Sequence, residues 1–125
     1  MTHILVVDDE ASITILLQMY LEEKGYRVST ACDGVEALER YDADPADAVV
    51  TDLTMPRMTG RELIDRLWQR RPGIPTIVVT GWSGAEDLTN LHTCVMHKPV
   101  SLELLCSRLA EVLAYGESHA ARPGA

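Results

Sequence analysis

The sequence predicts a doubly wound α/β domain built on a five-stranded parallel sheet. Three observations lead there. Short runs rich in Val and Ile recur at regular intervals, amphipathic segments alternate with them, and Gly, Pro or Asp separates one kind from the other. Continuous apolar strands of this sort are buried on both faces, as in sheets covered by helices on each side. A β-α unit repeated five times then implies right-handed crossovers and helices on both faces.

The strands are read at HILVV (3–7), YRVST (26–30), DAVVT (47–51), PTIVV (75–79) and TCVM (93–96). In 11–24, Ile13, Leu16, Leu17, Tyr20 and Leu21 follow helical spacing, and Gly25 is placed to end that helix as its C′ residue. The second helix, 34–43, carries Val35, Ala37, Leu38 and Tyr41. The third, 60–71, carries Leu63, Ile64, Leu67 and Trp68 and stops before Pro72-Gly73. The fourth, 83–91, is short and interrupted by Thr and Asn. The fifth, 101–115, carries Leu102, Leu105, Leu109, Val112 and Leu113, with Ser101 as N-cap. One domain spans 1–115, and 116–125 reads as a flexible tail or the start of a linker.

The chain has 125 residues and suits a single core. Its net charge of −8, from 19 acidic and 11 basic residues, argues against nucleic-acid binding by this domain. No apolar run approaches the roughly 18 residues that would cross a bilayer, and Asp8-Asp9 breaks the early apolar stretch. A cytoplasmic location and no membrane partner are therefore expected. Arg57, Arg61, Arg66, Arg70 and Arg71 cluster as a solvated helix face or a docking patch for an acidic partner. Cys32, Cys94 and Cys106 fit neither a disulfide framework nor a metal motif and read as reduced, mostly buried thiols.

Ligands in such sheets sit beyond the carboxyl ends of the strands, at the switch in strand order. Strand one ends at Asp8-Asp9, strand three at Asp52, strand four at Thr80, and strand five just before Lys98-Pro99. Singly, each is an ordinary turn residue, helix cap or solvated lysine. Together they put three carboxylates, a hydroxyl and an ammonium on one rim. Crowded carboxylates repel, and a hard divalent cation answers that repulsion. Mg²⁺ takes oxygen ligands and keeps several waters. With Mg²⁺ bound, one carboxylate could accept a phosphoryl group while Lys98 and Thr80 engage its oxygens.

In the segments ILVVDDE, VVTDLTMPRMTG, PTIVVTG and HKP, in that order, the sequence resembles the receiver domain of two-component response regulators, with its flavodoxin-like (βα)5 fold. The resemblance covers residues 3 to about 115. It implies that Asp52 is the phosphoacceptor, receiving its phosphoryl group from a sensor histidine kinase or phosphotransfer protein. It further implies Mg²⁺ held by Asp8, Asp9, Asp52 and the backbone carbonyl of Thr54. Thr80 and Lys98 would sense the phosphoryl group. Pro99 would follow a cis bond that points the lysine inward, and Pro56 and Gly60 would shape the loop after Asp52. Thr54 and Trp82 would line the approach of water in dephosphorylation. The partners implied are the kinase, a downstream protein or output domain, and a phosphorylation-dependent homodimer.

Two departures stand out. The family's switch position, three before the lysine, is usually aromatic; here it is Val95. Thr80 and Lys98 stand close in sequence, so the fourth helix is expected to be shortened. The main alternative is therefore a receiver-like binding module that works without phosphorylation. A phosphatase with an Asp nucleophile would want a second Asp where Thr54 stands.

Overall fold

The structure, a computed structural model, describes residues 1–53, 55, 57–81 and 92–119. Strands β1 (His3–Val7), β2 (Arg27–Ala31), β3 (Ala48–Asp52), β4 (Thr76–Thr80) and β5 (Thr93–His97) form one parallel sheet in the order β2-β1-β3-β4-β5. Four helices are described: α1 (Ala11–Glu23), α2 (Gly34–Ala43), α3 (Gly60–Arg70) and α4 (Leu102–His119). The helix expected over 83–91, together with Thr54, Pro56, Trp82 and 120–125, lies outside the described residues. No described helix is long and apolar enough to cross a membrane.

Side-chain alternation explains the unbroken apolar strands. Ile4 and Val6 of β1 join Val50, Ile77, Leu21, Leu105 and Leu109 beneath α1 and α4. Leu5 and Val7 point the other way, joining Val49, Leu63, Leu67 and Ile74 beneath α2 and α3. Every residue of β1, β3 and β4 is buried. A leucine such as Leu63, with no exposed surface, contributes about 1.5–3 kcal/mol by burial. The expected fold class is the one observed.

Three strands begin one residue later than the sequence suggests, because the preceding residue belongs to a turn. The Tyr26 N–H donates to the Leu21 carbonyl and the Gly25 N–H to that of Glu22, at 3.1 and 3.0 Å, closing a Schellman motif on α1. The Asp47 N–H donates to the His3 carbonyl at 2.7 Å, and its carboxylate accepts from the His3 N–H at 2.8 Å. Pro75 has no N–H to give a ladder. The shift makes Asp52 and Thr80 the last residues of β3 and β4 rather than the first of the loops.

Gly25 has φ +97° with no atom near the position a Cβ would take. Gly25→Ala is therefore expected to cost about 1–2 kcal/mol through the backbone alone. Urea unfolding would show this, with ligand binding at the opposite pole unchanged.

The starts of α2, α3 and α4 are capped by their own side chains. The Asp33 carboxylate accepts from the Glu36 N–H at 2.8 Å, Thr59 and Glu62 form a capping box on α3, and the Ser101 hydroxyl accepts from the Leu104 N–H at 3.2 Å. Two readings of surface chemistry resolve differently. Cys32 is exposed and Cys94 and Cys106 are half-buried, so the expectation of mostly buried thiols is corrected. Cys32 follows the last strand residue, beyond the cover of either helix layer. The arginine cluster is largely engaged within the chain: Arg57 pairs with Asp33, Arg70 with Asp42, and Arg71 donates to the Ala46 carbonyl. These pairs tie α3 and its flanking residues to α2 and to the turn before β3.

Candidate functional site

Register assembles the site. Val7 lies opposite Thr51, so the next residues, Asp8 and Asp52, emerge side by side. Asp52 lies opposite Val79, one before Thr80. Thr80 lies opposite His97, one before Lys98. β1 and β3 flank the point where strand order reverses, the place where doubly wound sheets bind ligands.

The carboxylates of Asp8, Asp9 and Asp52 each present an oxygen within 4.8 Å of the others. Asp8 and Asp52 are buried, at 4% and 7% exposure, whereas Asp9 opens to solvent. At that spacing the buried pair repels by about 3 kcal/mol at an effective dielectric near 20; the exposed Asp9 is screened. Among the described residues, one cation lies between them. The Lys98 ammonium donates to Asp52 Oδ2 at 3.1 Å and stands 3.8 Å from Asp8 Oδ2. The three carboxylates and the ammonium together leave a net charge deficit of two.

Each group is aimed by backbone. Asp52 Oδ1 accepts from the Leu53 N–H at 2.7 Å, which leaves Oδ2 toward Lys98. Asp8 Oδ1 accepts from the Glu10 N–H at 2.9 Å at the entry to α1. The Lys98 N–H donates to the Thr80 carbonyl at 2.8 Å, and the Lys98–Pro99 bond is cis as expected. Thr80 is fully buried. Burial pushes the Asp8 carboxyl above its ordinary range, opposed by the Glu10 N–H and Lys98 and reinforced by the charges of Asp52 and Asp9. For Lys98, burial acts downward, but the hydrogen bond from its ammonium to Asp52 and the nearby carboxylates outweigh it and hold the ammonium above its usual range.

Gly60 opens α3 hard against the acceptor strand. A Cβ there would sit 2.3 Å from the Asp52 carbonyl oxygen and 2.8 Å from Leu53 Cα. Its N–H donates to the Leu53 carbonyl at 2.8 Å. Val95 is half-buried in β5 opposite Val78. Thus Asp8, Asp9, Asp52, Thr80 and Lys98 share one rim, with Gly60 beneath it, while Thr54 and Pro56 fall outside the described residues. The pairing of Asp33 with Arg57 escaped the sequence reading. Arg57 has φ +68° and reaches Asp33 through both Nε and Nη2, at 2.9 and 2.6 Å. No sequence signal marks it, since left-handed positions usually announce themselves by Gly or Asn.

The donor set fits Mg²⁺: oxygen atoms only, two buried for orientation and one open to solvent, where retained waters would sit. Known proteins carry the same arrangement of chain. The family model of the response regulator receiver domain matches residues 4–110. TrcR, a transcriptional regulatory protein of Mycobacterium tuberculosis, is 36% identical over 96% of this chain and 48% of its own length. PhoP, the alkaline phosphatase synthesis regulator of Bacillus subtilis, is 44% identical over 62% of this chain and 32% of its own. The chain thus spans a third to a half of these relatives. A CheY-like receiver domain protein from Methanospirillum hungatei superposes with a TM-score of 0.86 at 30% identity, covering 94% of this chain and 98% of that one. TrrA of Thermotoga maritima, solved in complex with Mg(2+)-BeF, superposes at 0.80 with 31% identity over 90% of this chain and 99% of its own. With the family match spanning most of the chain and the same fold recurring in these neighbours, the chain belongs to the response regulator receiver domains of two-component systems.

Proposed function

We propose that Asp52 is the phosphoacceptor, taking its phosphoryl group from a sensor histidine kinase or phosphotransfer protein, and that the modification switches binding to a downstream protein or output domain. The observation that carries this is the meeting of Asp52 with Asp8, Asp9 and Lys98 at one strand-end rim. Asp8, Asp9 and Asp52 would hold Mg²⁺ with the carbonyl of Thr54, and bound Mg²⁺ supplies charge neutralisation for a phosphoryl group. In the transfer, an Asp52 oxygen forms the new O–P bond as the N–P bond to the donor imidazole breaks, and that ring nitrogen keeps the electron pair. The Leu53 N–H fixes Oδ1 during that attack. Lys98 already touches Oδ2 and needs only to shift its ammonium onto the phosphoryl oxygens. The Thr80 hydroxyl supplies a further donor. The chain works as a switch with modest phosphotransfer and dephosphorylation chemistry of its own, in the cytoplasm. The −8 charge argues against nucleic-acid binding by this domain. A phosphorylation-dependent homodimer is one output.

Val95, an aliphatic residue at the switch position, favours a second reading, a receiver-like module that binds without phosphorylation. Incubation with Mg²⁺ and a small phosphodonor, read by intact mass, separates the two. One hydroxylamine-labile phosphoryl group is expected in Mg²⁺ and none in chelator; an unmodified mass in both overturns the phosphoacceptor reading.

A further inference from the structure

The segment after Asp52 is tied to the start of α2 at two points. Arg57 reaches from a left-handed backbone position to the Asp33 carboxylate. Beside it, Met58 lies over Gly34 so closely that a Cβ there would fall 2.8 Å from its Cβ and sulfur. Asp33 is 5% exposed, so its charge is held in place, while Arg57 covers it from the solvent side. A residue with a Cβ is disfavoured at φ +68°, where glycine is free. The guanidinium, bonded twice to one carboxylate oxygen, offsets that and fixes the turn.

We infer that Arg57 is a positioning residue for the metal pocket: its ion pair with Asp33 holds Arg57 and Met58 onto the start of α2, and with them Gly60, which abuts the Asp52 and Leu53 backbone. The inference rests on the reading that Asp8, Asp9 and Asp52 hold Mg²⁺. Met55 is buried in the core under α2 and α3, and the Gly60 N–H closes the loop on the Leu53 carbonyl. Among the described residues between those anchors, the Arg57–Asp33 pair is a polar tie that crosses to another element. Groups that orient metal ligands from behind typically change affinity by roughly ten- to a hundredfold when removed.

Two substitutions isolate the pair. Asp33→Asn keeps an N-cap acceptor for the Glu36 N–H but loses the charge. Arg57→Gly keeps the left-handed turn but loses the guanidinium. Mg²⁺ titration by calorimetry on the full chain, with thermal melting alongside, is expected to show roughly tenfold weaker binding for each. The double variant should be no worse than the weaker single, because both remove one interaction. Amide exchange at Met55 and Met58 should quicken in both. Affinities within about twofold of the parent in both singles, or additive losses in the double, overturn the inference. Asp9→Asn runs in the same series. If it leaves Mg²⁺ binding intact, the pocket reading fails and the clamp falls with it; if it weakens binding while the clamp variants do not, only the clamp is wrong.

Discussion

Asp52→Asn is expected to show no phosphoryl uptake above background under conditions that modify the parent. The amide lacks the anionic oxygen that attacks phosphorus, and an amide nitrogen is no substitute nucleophile. The variant should still fold. Asn can accept from the Leu53 N–H through its own oxygen, and Lys98 keeps Asp8 at 3.8 Å. The substitution removes a repulsion of about 3 kcal/mol between buried carboxylates but also gives up the 3.1 Å ion pair with Lys98, so its unfolding midpoint in chelator should stay close to the parent's. Asp9→Asn makes the contrast: the acceptor remains while the solvent-open metal ligand is lost, so uptake becomes slow and insensitive to Mg²⁺. Intact mass with and without hydroxylamine, beside urea unfolding, reads both quantities. Uptake by Asp52→Asn at the parent's level would sink the assignment.

Gly60→Ala is expected to be the most damaging single methyl in the described chain. The added carbon would meet the Asp52 carbonyl oxygen at 2.3 Å and Leu53 Cα at 2.8 Å. Both are backbone atoms, one of them in a fully buried strand, so neither can rotate away as a side chain would. Overpacking costs typically 1–3 kcal/mol and occasionally more. With no flexible neighbour to give, about 3 kcal/mol is expected, a large share of a small domain's stability. The strand end must yield or α3 must start later, and both displace the acceptor carboxylate. Mg²⁺ binding should therefore fall along with the urea midpoint. A loss below about 1 kcal/mol would mean that the helix slides at little cost.

The fold was legible because each apolar run is buried on two faces and each helix carries its own stripe. Asp8, Asp9, Asp52, Thr80 and Lys98 were legible because parallel strands all deliver their ends to one edge, so position along the chain stands in for position in space. Exact strand starts were not. Tyr26, Asp47 and Pro75 have strand-like character or neighbours, and only their turn hydrogen bonds, or the missing one, exclude them. Gly60 was read as a loop shaper, but the atoms it must avoid belong to a strand eight residues earlier. The tie between Arg57 and Asp33 depends on a backbone angle and a long side chain's reach across 24 positions, neither of which leaves a local pattern. Cys32 read as apolar, and its exposure follows from a strand ending one residue before it.

Strand parity has a consequence for how this domain can change. Asp52 shares the parity of Ala48 and Val50, and Asp8 and Lys98 continue that of Ile4 and Val6 and of Cys94 and Met96. Adding or deleting one residue inside β1, β3 or β5 would send its charged tip to the opposite layer, even where the core could repack. Length variation is then confined to the far pole, at turns such as 44–46 and 71–75, where the connections run away from the rim. Lineages of this chain are expected to lengthen and shorten there while β1, β3 and β5 keep a fixed count.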